Sequence, residues 1–410
     1  MGFTMIQRLK IQNFGPIKKG YTEGDGFIPF KRVTAFCGAQ GVGKSSVAKL
    51  FSAFAWIEKA LVRGDLTEKH ITQYNRFVKV YCGGYYRISS YFRKDTFIRY
   101  EGLAYIMTYA DGHLSLSAIN NLDYQRPKII YIPAERNMLS AINRISRVKG
   151  IPASLAEMLD DYHLACRNLK GTLDLPINSV RFVYDSLNDL ASIKGNNFTI
   201  RLEDSASGIQ AFTPMYVEIN HFSQSIRQGC GDKMDSIDAQ EKKRIDKRIE
   251  ELLKDETLDD NTRRILVRKA SDTANKRVVC IVEEPEQNLF PTTQRIALNC
   301  LLQQTSPANS QLLFTTHSPY LINYLSLAIK AHDIAQRTTN EALLMQLNDI
   351  VPHNAEVDGE SVAVYQIDNE GTIHLLPTYD HMPSDSNYLN SQLEECNSLF
   401  DQLLDIESRL

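Results

Sequence analysis

A glycine-rich turn near the N-terminus constrains the fold of this chain more than any other feature. Residues 38–45 are Gly-Ala-Gln-Gly-Val-Gly-Lys-Ser, which fits the pattern G-x-x-x-x-G-K-[ST]. The turn follows the apolar run 32–37, which is typical of a strand. It precedes a segment with apolar residues at helical spacing, from Lys44 to about Leu61. The turn therefore lies between a predicted strand and a predicted helix, which is the context that this motif needs.

The chemistry of this turn predicts a phosphate site. Glycines let backbone N–H groups curl around an anion, and the N-terminus of the following helix adds positive potential. Lys44 is expected to reach the β- and γ-phosphates of a nucleotide, and Ser45 is expected to bind Mg²⁺. The predicted nucleotide-binding residues are Gly38, Ala39, Gln40, Gly41, Val42, Gly43, Lys44, Ser45 and Ser46.

Carboxylates follow a second buried strand. The apolar run 278–283 (VVCIVE) ends in the sequence Glu283-Glu284-Pro285-Glu286. Acids at the carboxyl end of a parallel strand face the crevice where a nucleotide lies. Glu283 is therefore predicted to hold Mg²⁺, directly or through water, and Glu284 to act as general base on the attacking water. A solvated acidic turn is the simpler alternative, but a metal bound beside the phosphate loop explains why the acids cluster.

A histidine ends a third predicted strand. His317 follows the apolar run 312–316 (LLFTT) and precedes a Ser-Pro pair. A single histidine is more often structural than catalytic. Because this one comes after the phosphate loop and the acidic strand, it matches a switch histidine that senses the γ-phosphate. We therefore predict a catalytic role for His317.

A short Ser-Gly turn lies between these motifs. Residues 205–210 (Ser-Ala-Ser-Gly-Ile-Gln) follow a predicted strand at 198–203 and precede a helix that opens at Gly208 and continues to about Arg227. A Ser-Gly pair at a helix N-terminus can bind the γ-phosphate of nucleotide held by another subunit. The resulting candidate ligands are Ser205, Ser207 and Gly208.

Composition and charge limit the cellular compartments and the classes of partner that we expect for this chain. The chain of 410 residues carries 46 Lys plus Arg and 49 Asp plus Glu, a formal net charge of −3, so no global basic field indicates nucleic acid. The N-terminus carries charges where a signal peptide would be apolar, and no run approaches the roughly 20 apolar residues of a membrane helix. The scattered cysteines include no CxxC pair, which is typical of reduced thiols. We expect a cytoplasmic protein without a membrane segment.

Periodicity predicts further elements outside these motifs. Residues 76–118 alternate polar and apolar residues between turns, which predicts an antiparallel meander, and residues 128–133 (KIIYIP) predict a short strand. Residues 138–195 are expected to be mostly helical. Residues 232–275 mix acids and bases around a narrow apolar stripe, which is typical of a protruding helical hairpin.

The C-terminal part is predicted to hold a hairpin at 362–376 and a helix from about Tyr388 to Ile406. This last helix carries an apolar stripe that suits docking onto the core or onto another protein. The stripe consists of Leu389, Leu393, Cys396, Leu399, Leu403 and Ile406.

The ordered motifs resemble those of ABC-type ATPases of the SMC, RecF and OLD-nuclease group. The order is the phosphate loop, the signature-like turn, the EEPE strand end and the TTHSP segment at 315–319. Asn13-Phe14-Gly15 and the EEPEQNLFP run at 283–291 also look like that group. Within it, the chain looks most similar to stand-alone ATPase subunits of bacterial antiphage systems such as Septu and PARIS. This narrower resemblance depends on the size of the chain and on the stretches YIPAERN at 131–137 and EEPEQNLFP.

The resemblance covers roughly residues 1–136 and 198–325. It implies a P-loop ABC-type ATPase head with an α/β lobe, an antiparallel β lobe and helical insertions. ATP and Mg²⁺ are the implied cofactors, and head-to-tail dimerisation would close two ATP sites. The regions expected on this basis are the N-terminal half of the head at 1–136, a helical insertion at 137–197, the signature-like turn and helix at 198–231, a charged projection at 232–275, the C-terminal half of the head at 276–354 and a hairpin and helix at 355–410.

Three departures from the family pattern bear on function. Ala206 aligns with the usual signature serine, so Ser205 or Ser207 has to substitute, or contact with the second subunit is weakened. The segment 232–275 separates the signature turn from the acidic strand, where relatives would often have only a helix and a turn. No Q-loop glutamine is obvious. Residues 135–137 (Glu-Arg-Asn) are the candidate for that position, and a salt-bridged strand end is an equally open interpretation.

The leading functional hypothesis is an ATPase subunit of a bacterial defence complex that controls a separate effector, with a nuclease as the first candidate. OLD-like relatives carry a metal nuclease domain after the ATPase. Here the stretch after His317 includes isolated Asp368 and Asp380 but no DxD, so we expect no nuclease metal site in it.

The alternative hypothesis is a DNA-repair ATPase of the SMC or RecF type. Its candidate phosphate contacts are the basic stretch 242–248 and the residues Arg144, Arg147 and Lys149. A solvated helix face paired to nearby acids is the simpler interpretation of these bases. A third class, the ATPase subunit of a membrane transporter, fits less well because the signature and Q-loop are atypical and both insertions are large.

Overall fold

A computed structural model gives the architecture of the protein. The residues that it describes are 6–408 except 120, 122, 143–144, 146–147, 229–249, 251–252, 255–274 and 307–308. Almost all of the predicted charged projection, including the basic stretch 242–248, lies outside the described residues. The same holds for Arg144 and Arg147.

The centre of the fold is a mixed sheet whose apolar strands are covered on both faces. Strands buried on two faces need continuous apolar runs, as the predicted strands at 32–37 and 278–283 have. Within the described residues the strands run across this sheet in the order β2 (Gly20–Tyr21), β16 (Thr372–Leu375), β15 (Val362–Ile367), β4 (Val33–Gly38), β14 (Gln311–Thr316), β13 (Arg277–Glu283) and β8 (Pro127–Ile132). The predicted α/β class is confirmed.

Parallel pairing brings three strand ends to one edge of this sheet. Cys37 of β4 pairs with Thr316 of β14, and Thr315 pairs with Glu283 of β13. Every residue of β4 and of β13 is buried. The glycine-rich turn, the acidic run and His317 therefore all begin at the same edge, as their order in the sequence predicts.

The described helices pack on the two faces of the central sheet. The described helices are α1 (Lys44–Arg63), α2 (Glu68–Thr72), α3 (Met138–Ala141), α4 (Ala153–Asn168), α5 (Ser207–Arg227), α6 (Pro291–Gln304), α7 (Pro319–Arg337), α8 (Glu341–Ile350) and α9 (Tyr388–Glu407). One face of the sheet meets α1 and the antiparallel β lobe, and the other meets α4, α5, α6 and α7. None of them is long and apolar enough to cross a membrane.

The antiparallel lobe contains only the second half of the predicted meander. Its described strands run in the order β3 (Ile28–Pro29), β1 (Arg8–Phe14), β5 (Phe92–Glu101), β6 (Tyr105–Ala110) and β7 (His113–Ala118). The prediction of strands over 76–91 is wrong, because residues 77–85 form a wide, π-type helical segment. Phe77, Val78 and Cys82 are buried there at helical spacing, and Phe77 packs on a ring of α1.

The prediction of a mostly helical segment at 138–195 is correct for α3 and α4 and wrong beyond them. A small antiparallel sheet follows, with β9 (Thr172–Asp174), β10 (Arg181–Asp185), β11 (Leu190–Lys194) and β12 (Thr199–Arg201). Its strands are only three to five residues long, too short for a clear alternation. Phe182 and Ile193 pair across it and are fully buried. The strand predicted at 198–203 is confirmed for 199–201.

The predicted C-terminal hairpin and helix are confirmed. Most of the described side chains of this helix are exposed to solvent. The hairpin is β15 and β16, which extend the central sheet. Asn387 caps α9 by accepting hydrogen bonds from the N–H groups of Leu389 and Asn390. Leu389 is 6% exposed and therefore docks on the core. The other stripe residues with described side chains are exposed, namely Leu393, Leu399, Leu403 and Ile406.

This contrast predicts opposite results for two leucines of one helix. Leu389→Ala should lower the free energy of unfolding by about 2–5 kcal/mol, because it removes buried methyl groups. Leu403→Ala, 61% exposed in the wild type, should change it by about 0.5 kcal/mol or less. Urea unfolding of both variants measures the difference. Equal shifts would show that the helix packs against the core along its whole length.

Candidate active site

The glycine-rich turn forms an open cradle between β4 and α1. Gly38, Gly41 and Gly43 have φ of +139°, +80° and +109°, a region that favours glycine. A Cβ on Gly38 would collide with the carbonyl oxygen of Ile367, whereas one on Gly41 would meet open space. Of the predicted ligands, Gln40 and Gly41 are exposed, Ala39 and Ser45 are half-buried, and the buried ones are Gly38, Val42, Gly43, Lys44 and Ser46.

Lys44 points its ammonium group back into the cradle. Its Nζ donates to the carbonyl oxygens of Gly38 at 3.0 Å and Ala39 at 2.7 Å, and lies 3.2 Å from His317 Nδ1. Burial lowers the pKa of Lys44 to about 8. A cation desolvated in this way gains from an anion nearby, because the anion offsets the cost of burial. The residues present therefore fit a bound phosphate.

Glu283 lies beside the first turn of α1, as a metal ligand would. The Ser45 hydroxyl hydrogen bonds to its carboxylate, the Tyr131 hydroxyl also donates to it, and Lys49 Nζ lies 3.7 Å away. Burial raises the pKa of Glu283. A hydroxyl and a carboxylate side by side are oxygen ligands that suit Mg²⁺. Lys49 and Tyr131 were not predicted, and both hold the Glu283 side chain in place.

Glu284 adopts a backbone conformation that is unusual for its residue type. Its φ is +46°, in the left-handed region. Its side chain is about one-third exposed, and Oε1 lies 3.5 Å from His317 Nε2. The hydrogen bond with His317 is the main cause of a lowered pKa at Glu284. The carboxylate is therefore ionised and can accept a proton, as a general base must.

His317 connects the cradle to Glu284. One ring nitrogen faces Lys44 and the other faces Glu284, so the three predicted residues form one continuous chain of contacts. The Glu286 carboxylate accepts hydrogen bonds from the His317 backbone N–H at 2.7 Å and from the Thr316 hydroxyl at 2.9 Å. Glu286 was visible in the EEPE run, but the sequence does not reveal that it fixes the histidine.

The signature turn lies at the start of α5. Ser205 is buried and donates its hydroxyl to the carbonyl oxygen of Leu202 at 2.7 Å. Ser207 is exposed in the first turn of the helix. It is therefore the serine that a ligand outside the subunit can reach. A Cβ on Gly208 would come within 2.8 Å of the carbonyl oxygen of Asn288, so glycine is needed for this close approach.

Arg136 is a buried residue whose role the sequence left open. Its Nη1 donates to the carbonyl oxygen of Glu283 at 2.7 Å, its Nη2 to that of Glu284 at 2.6 Å and its Nε to that of Ala211 at 3.2 Å. The interpretation of residues 135–137 as a salt-bridged strand end is therefore wrong for Arg136, because the guanidinium donates to backbone carbonyls. Glu135 is exposed at the same strand end.

Comparison with known proteins gives only distant similarities. No family model matches the chain, and no curated protein matches it. A crystal structure of an SMC head bound to the C-winged helix domain of ScpA shares 12% identity over 92% of this chain and 99% of that one, with a TM-score of 0.39. The SMC head domain from Thermotoga maritima shares 11% identity over 92% and 100%, with a TM-score of 0.35. At these TM-scores, the functional assignment rests on the residues of the site itself.

The geometry predicts that Lys44 is needed for nucleotide binding. Because Lys44 is only 4% exposed, Lys44→Met is the suitable variant, since it keeps most of the aliphatic stem. Loss of a charged hydrogen-bond donor should weaken ATP binding about 10- to 100-fold. Equilibrium titration with a fluorescent ATP analogue measures this, with Lys94→Met on the exposed side of β5 as the control. Unchanged affinity in Lys44→Met would refute the phosphate site.

Proposed function

We propose that this chain is an ABC-type ATPase that binds ATP with Mg²⁺ and hydrolyses it to ADP and phosphate. The observation that carries the proposal is the contact chain from Lys44 through His317 to Glu284, with distances of 3.2 Å and 3.5 Å. It joins a phosphate-binding turn to an ionised carboxylate at one edge of a parallel sheet. Such an edge is where α/β proteins bind nucleotides.

Each residue has a distinct task in this proposal. The N–H groups of the cradle and Lys44 orient the phosphates, and Ser45 and Glu283 hold the metal ion. Bound Mg²⁺ supplies charge neutralisation for the phosphates. Glu284 accepts a proton from the attacking water, and His317 holds that carboxylate in register with the phosphate site.

We also propose that two copies associate head to tail, so that the signature turn of each faces the nucleotide of the other. Ala206 and Ser207 are exposed at the start of α5. Gly208 packs on the loop that follows β13, and in that loop Phe290 is 72% exposed. An exposed aromatic side chain beside an exposed helix N-terminus supports an interaction surface at this position.

Replacing the base should separate binding from hydrolysis. Glu284→Gln keeps the shape of the side chain and removes its ability to take a proton, so turnover should fall about 10²- to 10⁴-fold while ATP affinity is retained. The variant should then accumulate an ATP-dependent dimer. Phosphate release and light scattering after size exclusion measure the two effects, with the exposed Glu23→Gln as the control. Equal dimer content in variant and wild type with ATP would contradict the head-to-tail arrangement.

For biological role, we propose a cytoplasmic defence complex in which the ATPase controls a separate effector, with a nuclease as the first candidate. Helix α9 supports a protein partner, because its described side chains from Leu393 to its end are exposed and include the apolar residues Leu399 and Leu403. Isolated helices of this length are marginal in water, so contact with another surface would stabilise it.

The charge of α9 indicates the chemistry of that surface. The helix has no lysine or arginine between Tyr388 and Glu407. Its acidic residues are Glu394, Glu395, Asp401, Asp405 and Glu407. Two such helices would repel each other, whereas an apolar groove with a basic rim would complement both the stripe and the acids. We therefore propose that the effector, and not a second copy of α9, covers this helix.

Two measurements test the effector proposal. The purified chain should cleave neither DNA nor RNA with ATP and Mg²⁺. Co-expressed with its neighbouring genes, it should co-purify with one of their products, and Leu399→Asp with Leu403→Asp should abolish this. Leu343→Asp, an equally exposed leucine on α8, is the matched control. The interaction should also respond to Glu284→Gln. Metal-dependent cleavage by the isolated wild type that Lys44→Met abolishes would overturn the proposal.

A further inference from the structure

We infer that Arg136 is a positioning residue that couples the signature helix α5 to the base Glu284, and through it couples the two nucleotide sites of the dimer. The inference rests on the proposed function. Its physical basis is a fully buried guanidinium that bridges two elements which otherwise serve different nucleotides.

The first step is the bridge itself. Arg136 donates to the carbonyl oxygens of Glu283 and Glu284 on one side and of Ala211 on the other. Burial lowers its pKa to about 10, so the group remains a cation at neutral pH. A planar guanidinium presents donors in fixed directions, and it can therefore hold several carbonyls in one geometry.

The second step is a missing backbone hydrogen bond in α5 close to the bridge. Pro214 lies inside this helix and has no N–H to donate to the carbonyl of Gln210. The Ser140 hydroxyl donates to that carbonyl instead, at 2.9 Å. The first turns of α5 are therefore tied to the segment containing Arg136 and Ser140, and their link to the rest of the helix is weaker by one hydrogen bond.

The third step is the strained conformation of Glu284. A non-glycine residue in the left-handed region is held there by its surroundings. The Glu284 N–H donates to Thr315 at 2.9 Å, and its carbonyl accepts from Gln287 at 3.0 Å and from Arg136 at 2.6 Å. Arg136 thus supplies one of the hydrogen bonds that keep the base in place, and a shift of the guanidinium would change the position of the carboxylate.

A second contact joins the N-terminus of α5 to the loop that follows β13. Gly208, at the N-terminus of α5, packs against the carbonyl of Asn288, four residues after Glu284. When the signature turn engages nucleotide held by a partner subunit, the start of α5 and the loop after β13 have to move together. The base in one subunit then responds to nucleotide bound in the other, because the two states differ in their contacts.

Arg136→Lys tests this coupling. Lysine keeps the charge, but its single ammonium cannot span carbonyls on two elements. ATP affinity should stay within about twofold, because the phosphate loop is untouched. The kcat should fall at least about tenfold, and the Hill coefficient for ATP in the hydrolysis assay should drop from above 1 to 1. A purely structural arginine would not alter the Hill coefficient. Arg136→Gln provides a second variant if the lysine protein is insoluble.

Arg277→Lys is the matched control. Arg277 is also buried and also donates to backbone carbonyls, those of Gln125 and Asn309 at 3.3 Å each, but it lies at the opposite end of β13. The Arg277→Lys variant should lose thermal stability to about the same extent as Arg136→Lys, and it should keep the wild-type kcat and Hill coefficient. Wild-type kcat in the Arg136 variants, a wild-type Hill coefficient of 1, or an equal kcat loss in Arg277→Lys would overturn the inference. If the wild-type protein does not hydrolyse ATP, the proposed function is overturned instead. That result is obtained before any variant is compared.

Discussion

Parallel hydrogen bonding between β4, β14 and β13 determines where every other part of the site lies. The register places Cys37, Thr316 and Glu283 at the same edge, so the segments that follow them meet in space although they are far apart in sequence. The strands are buried on both faces, which fixes the register strongly. The cradle, the acids and the histidine therefore need no further element to bring them together.

Within this frame, buried charges hold the chemistry in place. Lys44, Glu283 and Arg136 are nearly inaccessible to solvent, and Glu286 is half-buried. Burying a charge is costly unless hydrogen bonds compensate it. Backbone carbonyl oxygens compensate the charges of Lys44 and Arg136. Side-chain hydroxyl groups compensate the carboxylate of Glu283. These contacts therefore set the positions of the charged side chains around the cradle.

The sequence was most informative where a motif coincides with a strand end. The phosphate loop, Glu284 and His317 could be placed because apolar runs and polar ends mark the strands that carry them. It was least informative where packing overrides periodicity. Residues 77–85 alternate like a strand, but Phe77, Val78 and Cys82 are buried at helical spacing, and Phe77 packs against Phe54 of α1. The strands between 172 and 201 are too short to show a period.

Residues that act through the backbone could not be assigned from the sequence. Arg136 was visible next to a strand end, yet its partners are carbonyl oxygens contributed by Glu283, Glu284 and Ala211, and carbonyls carry no sequence signal. The Glu286 carboxylate likewise accepts a hydrogen bond from a backbone group, the N–H of His317. Such contacts depend on tertiary geometry alone.

The position of β4 in the sheet has a consequence for biosynthesis. Its neighbours are β14 and β15, so the strand before the phosphate loop gains its partners only when residues 311–367 have been made. Until then, this apolar strand of six residues has no partner on either edge. Non-local pairing of this kind folds slowly and exposes aggregation-prone edges. The glycine-rich turn is therefore supported by its neighbouring strands late in synthesis, and chaperone protection during translation is expected to matter for the yield of the protein.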